Sequence, residues 1–158
     1  MGEANLRKGI HYFAMAAERL RSRGHGYEFR VVGGVTQAVA DQPLCRELDF
    51  LGRIPRDTIH EEFAAADVLV LPSLAEGSAG ATYEALAAGV PVVTTPAAGS
   101  VVRDGIEGRL VPERDPVALA DAIAEIVEDR DQRARMSVAA RQRARDYTWP
   151  EFAVSGRI

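Results

Sequence analysis

The sequence predicts a single doubly wound α/β domain, with a parallel sheet covered by helices on both faces. Three observations carry this. Short β-branched runs alternate with helical apolar stripes along nearly the whole chain, the pattern of strands linked by helical crossovers. At 158 residues the chain has room for one real core and not for two ordinary domains. Hydrophobic residues make up 47% and charged residues 27%, the balance of a globular domain.

Taken in order, Ile10, Phe13, Ala14, Ala17 and Leu20 recur at helical spacing, and Gly24 marks the stop. Residues Tyr27 to Val32 read as a strand ending at Gly33-Gly34, and Asp49-Phe50-Leu51 as a second, ending at Gly52. Ile59, Phe63 and Ala66 outline a short helix with Asp57 as its cap. Val68 to Leu71, stopped by Pro72, reads as a strand buried on both faces. A helix closing on Ala87-Ala88-Gly89 leads to the strand Val90 to Thr95. Asp115-Pro116 is a cap-plus-proline helix start, followed by the stripe Leu119, Ala122, Ile123, Ile126 and Val127. An arginine-rich helix follows, from about Asp131 to Arg145. The first helix begins with no strand ahead of it, and Trp149 to Ile158 starts a new element. The expectation is therefore a segment of something larger, with an irregular first sheet edge.

Composition narrows the function. The net charge of −4 lacks the basic excess of a nucleic-acid binder. The apolar runs fall far short of the roughly 18 residues of a membrane span, and no basic-then-apolar leader is visible. A single cysteine, Cys45, forms no internal disulfide, which suits a cytoplasmic location. His11, His25 and His60 lack the spacing of a metal site, so neither a metal nor a cofactor is expected. Arg130, Arg133, Arg135, Arg141, Arg143 and Arg145 could face an acidic membrane or partner. The interleaved Glu125, Glu128, Asp129, Asp131 and Asp146 make a solvated helix face the plainer reading.

The chemically informative stretch is Leu71 to Thr95. A buried strand leads into a loop of small residues, and the loop opens a helix. The backbone amides of Ser78, Ala79, Gly80 and Ala81 lie where a helix start has unpaired N–H groups and the positive end of its dipole. Such a site takes phosphate. Glu76 and Glu84 flank it, and ionised carboxylates repel phosphate but accept paired hydrogen bonds from vicinal diols. A diphosphate between two polyols describes a nucleotide sugar. On the residues alone, Glu84 reads equally as a partner of the helix dipole and Glu76 as an ordinary loop acid.

This stretch resembles the Glu-x7-Glu motif of group 1 glycosyltransferases, retaining enzymes of the two-domain GT-B architecture. Arg7-Lys8-Gly9-Ile10 resembles the family's Arg-Lys-Gly helix start, and Phe50 to Pro55 its Leu-Gly-Arg-Val/Ile loop. Ala66-Asp67-Val68 through Pro72-Ser73, Gly89 to Val93, Gly99, Asp104-Gly105, Gly108 and Tyr147-Thr148-Trp149 follow in the family order. The resemblance spans about Lys8 to Phe152. It implies that 1–158 is the Rossmann-like, donor-binding C-terminal half of such an enzyme, inactive alone without an N-terminal acceptor domain. By the same resemblance Glu76 contacts donor-sugar hydroxyls, Glu84 holds the ribose, and Lys8 neutralises the departing diphosphate. Gly77, Ser78, Ala79, Gly80 and Ala81 would lie near the phosphates or sugar, and Ile54 where the backbone reads the base. Two departures stand out. Gly2-Glu3 puts an acid where the family carries a basic residue, a load Arg7 could take over. Glu76-Gly77-Ser78-Ala79-Gly80 replaces the usual Glu-Gly-Phe-Gly.

Other readings stay open: a nucleotide-sugar epimerase on the same architecture, or a non-catalytic nucleotide-binding module. A phosphorylase would need a cofactor lysine, and the only lysine is Lys8. A dinucleotide dehydrogenase would want Gly-x-Gly-x-x-Gly after its first strand, which Gly33-Gly34-Val35-Thr36 does not supply.

Overall fold

The computed structural model describes residues 4–75 and 80–147. Helices and strands alternate: α1 (Ile10–Ser22), β1 (Phe29–Val32), α2 (Gln37–Ala40), β2 (Leu48–Gly52), α3 (Ile59–Ala65) and β3 (Leu69–Leu71). Then follow α4 (Gly80–Ala88), β4 (Val92–Thr94), β5 (Gly108–Leu110), α5 (Pro116–Glu128) and α6 (Arg130–Arg145). All strand pairings are parallel: β1 with β2, β3 with β4 and β4 with β5, in registers Phe29 to Leu48, Leu69 to Val92 and Val92 to Gly108.

Both faces of the sheet are covered, as the alternation predicts. On one face Ile10, Ala14, Ala17 and Leu20 of α1 pack with Phe29 and Val31, with Val93, and with Leu119, Ile123 and Ile126 of α5. On the other, Phe63 of α3 and Ala85 and Leu86 of α4 pack with Val92 and with Ala140 of α6. Val92 and Val93 thus enter opposite layers, which is the period-2 alternation of a strand between two helix layers. Each fully buried leucine, such as Leu20 or Leu86, contributes about 1.5–3 kcal/mol by leaving water.

Local chemistry sets most boundaries. The Asp115 side chain accepts from the amides of Val117 and Ala118, with Pro116 at the first helical position. Asp129 caps α6 by accepting from the Gln132 amide. The expected Asp57 cap is not formed: α3 starts after Thr58, with no side-chain cap hydrogen bond. Thr58 instead turns its hydroxyl onto the Pro55 carbonyl at 2.9 Å. The short β5 and α2 have no counterpart in the sequence reading.

The sheet departs from expectation in its middle. It is two sheets, β1-β2 and β3-β4-β5, with no ladder joining β1 to β3 among the described residues. The irregularity expected at an edge falls between these two strands. Leu69, Val70 and Leu71 are accordingly half-buried rather than enclosed on both faces, whereas all three residues of β4 are buried.

Arg133 and Arg143, two of the six arginines of α6, are tied into the fold. Arg133 donates to the Ile126 carbonyl and pairs with Asp67 at 3.4 Å. Arg143 donates to the Val101 carbonyl and lies over the Tyr147 ring at 5.0 Å. Cys45 is buried in the core, where desolvation raises its thiol pKa. No helix among the described residues is long and apolar enough to cross a membrane.

Candidate functional site

Parallel strands deliver all their carboxyl ends to one side of a sheet, and ligands of open α/β folds bind in the crevice there. Here that side gathers the turn after β1 (Gly33-Gly34), the loop after β2 (Arg53-Ile54), the segment Pro72 to Leu74 after β3, and the start of α4.

Residues Arg7 and Lys8 are brought to this rim by a short 3-10 turn, Leu6–Lys8. The Asn5 side chain caps it by accepting from the Lys8 amide at 3.1 Å. The turn is pinned to β3's end, because the Leu74 amide donates to the Arg7 carbonyl at 2.8 Å. Gly9 closes it at φ +76°, where a Cβ would lie 2.0 Å from the Pro72 carbonyl oxygen. That approach and that φ admit glycine alone. On the other flank the Ala4 amide donates to the Gly34 carbonyl at 2.8 Å. The segment 4–9 therefore bridges the ends of β1 and β3.

The rim is braced from β4. Thr94 donates to the Leu71 carbonyl at 2.8 Å, and the Thr95 hydroxyl donates to the Ser73 carbonyl. Ser73 is fully buried, and its hydroxyl has no partner among the described residues. The α4 helix opens at Gly80, which is exposed, with Ala81 half-buried and Thr82 buried. Its first amides have no intrahelical acceptor and form the positive dipole end. Ala81, Lys8 and Pro72 line one cavity, placing the lysine and this helix start at a common opening.

Glu84 lies on an exposed position of α4 and makes no hydrogen bond or ion pair among the described residues, so its carboxylate is open to a ligand. Ile54 is half-buried just beyond β2, on the same rim. Arg7 is exposed and Lys8 half-buried. Glu76, Gly77, Ser78 and Ala79 lie outside the described residues, as do Glu3, Trp149 and Phe152. The structure thus brings Lys8 and Ala81 to one cavity, with Arg7 in the same turn as Lys8, Ile54 just after β2, Gly80 at the start of α4 and Glu84 one turn further along that helix.

One rim residue escaped the sequence reading of the site: Ser73 is signalled only as a polar residue directly after a buried strand. His11 lies in the first turn of α1. Its Nδ1 is buried without a partner among the described residues, and burial lowers its pKa below the ordinary 6.5. Among the described residues no group of three or more His, Cys, Asp or Glu side chains could hold a metal ion.

Comparison with known proteins gives the family and supports the fold. Residues 1–129 match the family model described as "Glycosyl transferases group 1". A D-inositol 3-phosphate glycosyltransferase of Corynebacterium urealyticum is 33% identical over 97% of this chain, which spans 40% of that relative. The C-terminal domain of the group 1 glycosyl transferase LpcC from Francisella tularensis superposes with a TM-score of 0.80 at 22% identity, over 93% of this chain and 83% of that one. Anabaena HepE, solved in complex with UDP-glucose, gives a TM-score of 0.76 at 23% identity, over 92% of this chain and 43% of that one. With its parallel sheet, two helix layers and strand-end rim, the chain belongs to the group 1 glycosyltransferases, whose Rossmann-like C-terminal half it represents.

Proposed function

We propose that this domain binds the nucleotide-sugar donor of a retaining glycosyltransferase, and that transfer requires an acceptor domain on the N-terminal side. The observation that carries the reading is the pinning of the Arg7-Lys8-Gly9 turn onto Pro72 to Leu74. Lys8 then lines one cavity with Ala81, at the start of α4, where a helix presents its positive dipole end.

That pairing suits a diphosphate. As the glycosidic bond breaks, negative charge grows on the departing phosphate, and a preorganised cation with helix amides stabilises it most at that stage. Lys8 supplies the point charge and Arg7 a second one. The amides from Ser78 to Ala81 supply hydrogen bonds. Glu84 on α4 is suited to accept both ribose hydroxyls, and Glu76, on the loop ahead of it, those of the sugar. Ile54 lies where the backbone can meet the base. HepE's UDP-glucose supports a nucleotide-sugar donor, and the D-inositol 3-phosphate glycosyltransferase supports transfer of a sugar. The isolated chain holds one wall of the cleft and transfers no sugar by itself.

Titration calorimetry with UDP, GDP and ADP tests this. One nucleotide should bind tightest, and Lys8→Met should weaken it. Equal failure of all three to bind would refute donor binding.

A further inference from the structure

Which way the Glu84 carboxylate faces depends on how α4 is turned about its own axis. Among the residues of that helix Tyr83 is the one aromatic, and it directly precedes Glu84. Thr82, Ala85 and Leu86 form its buried side. A methyl such as that of Ala85 makes a shallow ridge, so the longer Tyr83 side chain is the stronger lever against rotation. Its ring meets that of Tyr147, two residues beyond α6, with centroids 5.7 Å apart and planes at 66°. An edge-to-face arrangement of this kind is favourable for aromatic pairs. Tyr147 is itself held, since Arg143 lies over its ring at 5.0 Å while donating to the Val101 carbonyl at 3.2 Å. We propose that Tyr83 and Tyr147 are positioning residues for Glu84, their ring contact fixing the rotation of α4 that aims the carboxylate at the ribose; this rests on the donor-binding reading above.

The α6 helix holds the far end of α4 as well. The Arg141 guanidinium lies against Gly89, directly after α4, where an added Cβ would be 2.5 Å from its Cζ. It also donates to the Ala88 carbonyl at 3.5 Å. Between the two ends, Ala140 of α6 is buried in one cluster with Ala85 and Leu86. Arg141 and Ala140 thus set where α4 lies, and the ring pair sets how its first turns are rotated. Side chains reach about 5–6 Å from a helix axis, so a rotation of about 10° carries the Glu84 carboxylate about 1 Å. A misplacement of that size at a site is worth up to about a hundredfold. The backbone amides, only about 2 Å from the axis, move less than half as far. Loss of the ring contact therefore falls on the Glu84 contact and largely spares the amides at the start of the helix.

The test compares two ligands of the same chain: the tightest-binding of UDP, GDP and ADP, and the 2′,3′-dideoxy form of that nucleotide, which lacks the diol. Affinities are read by magnetic-resonance titration. The unaltered chain should bind the full nucleotide about ten- to a hundredfold more tightly, the usual value of hydrogen bonds to a charged group. Tyr147→Ala should weaken the full nucleotide about fivefold or more and the dideoxy form less than about twofold. Tyr83→Ala should do the same, and Tyr147→Phe, which keeps the ring, should bind both ligands as the unaltered chain does. Should the alanine variants fail to fold, Tyr147→Leu keeps the bulk, removes the ring and carries the same comparison. Equal weakening of both ligands, or weakening of neither, would overturn the positioning role and leave a packing contact. If the unaltered chain binds both forms equally, or binds neither, the donor-site reading itself fails and takes this assignment with it, a result seen before any variant is made.

Discussion

Gly9→Ala probes the contact on which the site depends, and its cost can be worked from the structure. A left-handed conformation costs a non-glycine residue about 1–2 kcal/mol. At Gly9, with φ +76°, the new Cβ would also lie 2.0 Å from the Pro72 oxygen and 2.9 Å from its carbonyl carbon. Both neighbours are backbone, so the 3-10 turn must move off β3. Displacements of that kind typically cost a further 1–3 kcal/mol or so. Gly105 is the matched control: its φ is also +76°, but a Cβ there meets nothing within 4 Å. For a chain of this size about 2–4 °C of Tm is lost per kcal/mol. Gly105→Ala should then lower Tm by about 2–8 °C and Gly9→Ala by about 4–20 °C, the larger loss of the two. Thermal melts followed by circular dichroism give the stability difference, and calorimetry with the preferred nucleoside diphosphate gives the effect on the site. Gly9→Ala should weaken the nucleotide through the displaced Lys8, while Gly105→Ala leaves its affinity unchanged. Equal Tm losses for the two variants would show that the turn does not rest on Pro72.

Other outcomes follow from single groups. Glu84→Gln should weaken a nucleoside diphosphate and its sugar conjugate by similar factors, whereas Glu76→Gln should weaken only the sugar-bearing form; calorimetry with both ligands separates the two. Asp115→Ala removes the cap of α5 and should cost about 1 kcal/mol, while Asp57→Ala, at a residue that caps nothing, should leave the urea midpoint nearly unchanged. Burial disfavours protonated His11, so the unfolded chain takes up a proton near pH 6.5 that the folded chain resists. The contribution is therefore fully present above pH 7 and lost as pH falls through 6.5, and His11→Gln should flatten the Tm profile between pH 7 and 5.5.

Where the chain states its structure locally, it was legible. Asp115-Pro116 carries both an acceptor for the first amides and a preset φ, and the helix starts there. The apolar stripe Leu119 to Val127 likewise declares its buried face. The short β5 gives no such signal, because Gly108-Arg109-Leu110 is too brief for a period-2 pattern. Thr58 displaced Asp57 because the choice among adjacent polar residues depends on where the preceding loop lays its carbonyls. The run Val68 to Leu71 shows another limit: apolar residues mark a strand meant for burial, but which neighbours bury it is a property of the sheet. Its gap lies between strands 37 residues apart, from Val32 to Leu69, and local periodicity carries no record of such a pairing. At the site, Lys8 and Glu84 are picked out in the sequence by motif order alone. The hydrogen bond from Leu74 to Arg7 that places the lysine is a backbone contact, made by no particular side chain and so absent from any residue pattern.

Nuclear magnetic resonance mapping of nucleotide binding tests the central claim most directly, since it detects even weak complexes of a 17.1 kDa chain. UDP, GDP and ADP are titrated in turn into the labelled protein, and amide shifts are followed residue by residue. The account predicts that the tightest of the three moves the amides of Lys8, Ile54, Gly80, Ala81 and Glu84 together, along one saturation curve. Shifts confined to other surfaces, or no saturable shift with any of the three, would contradict a donor site at the carboxyl ends of the strands.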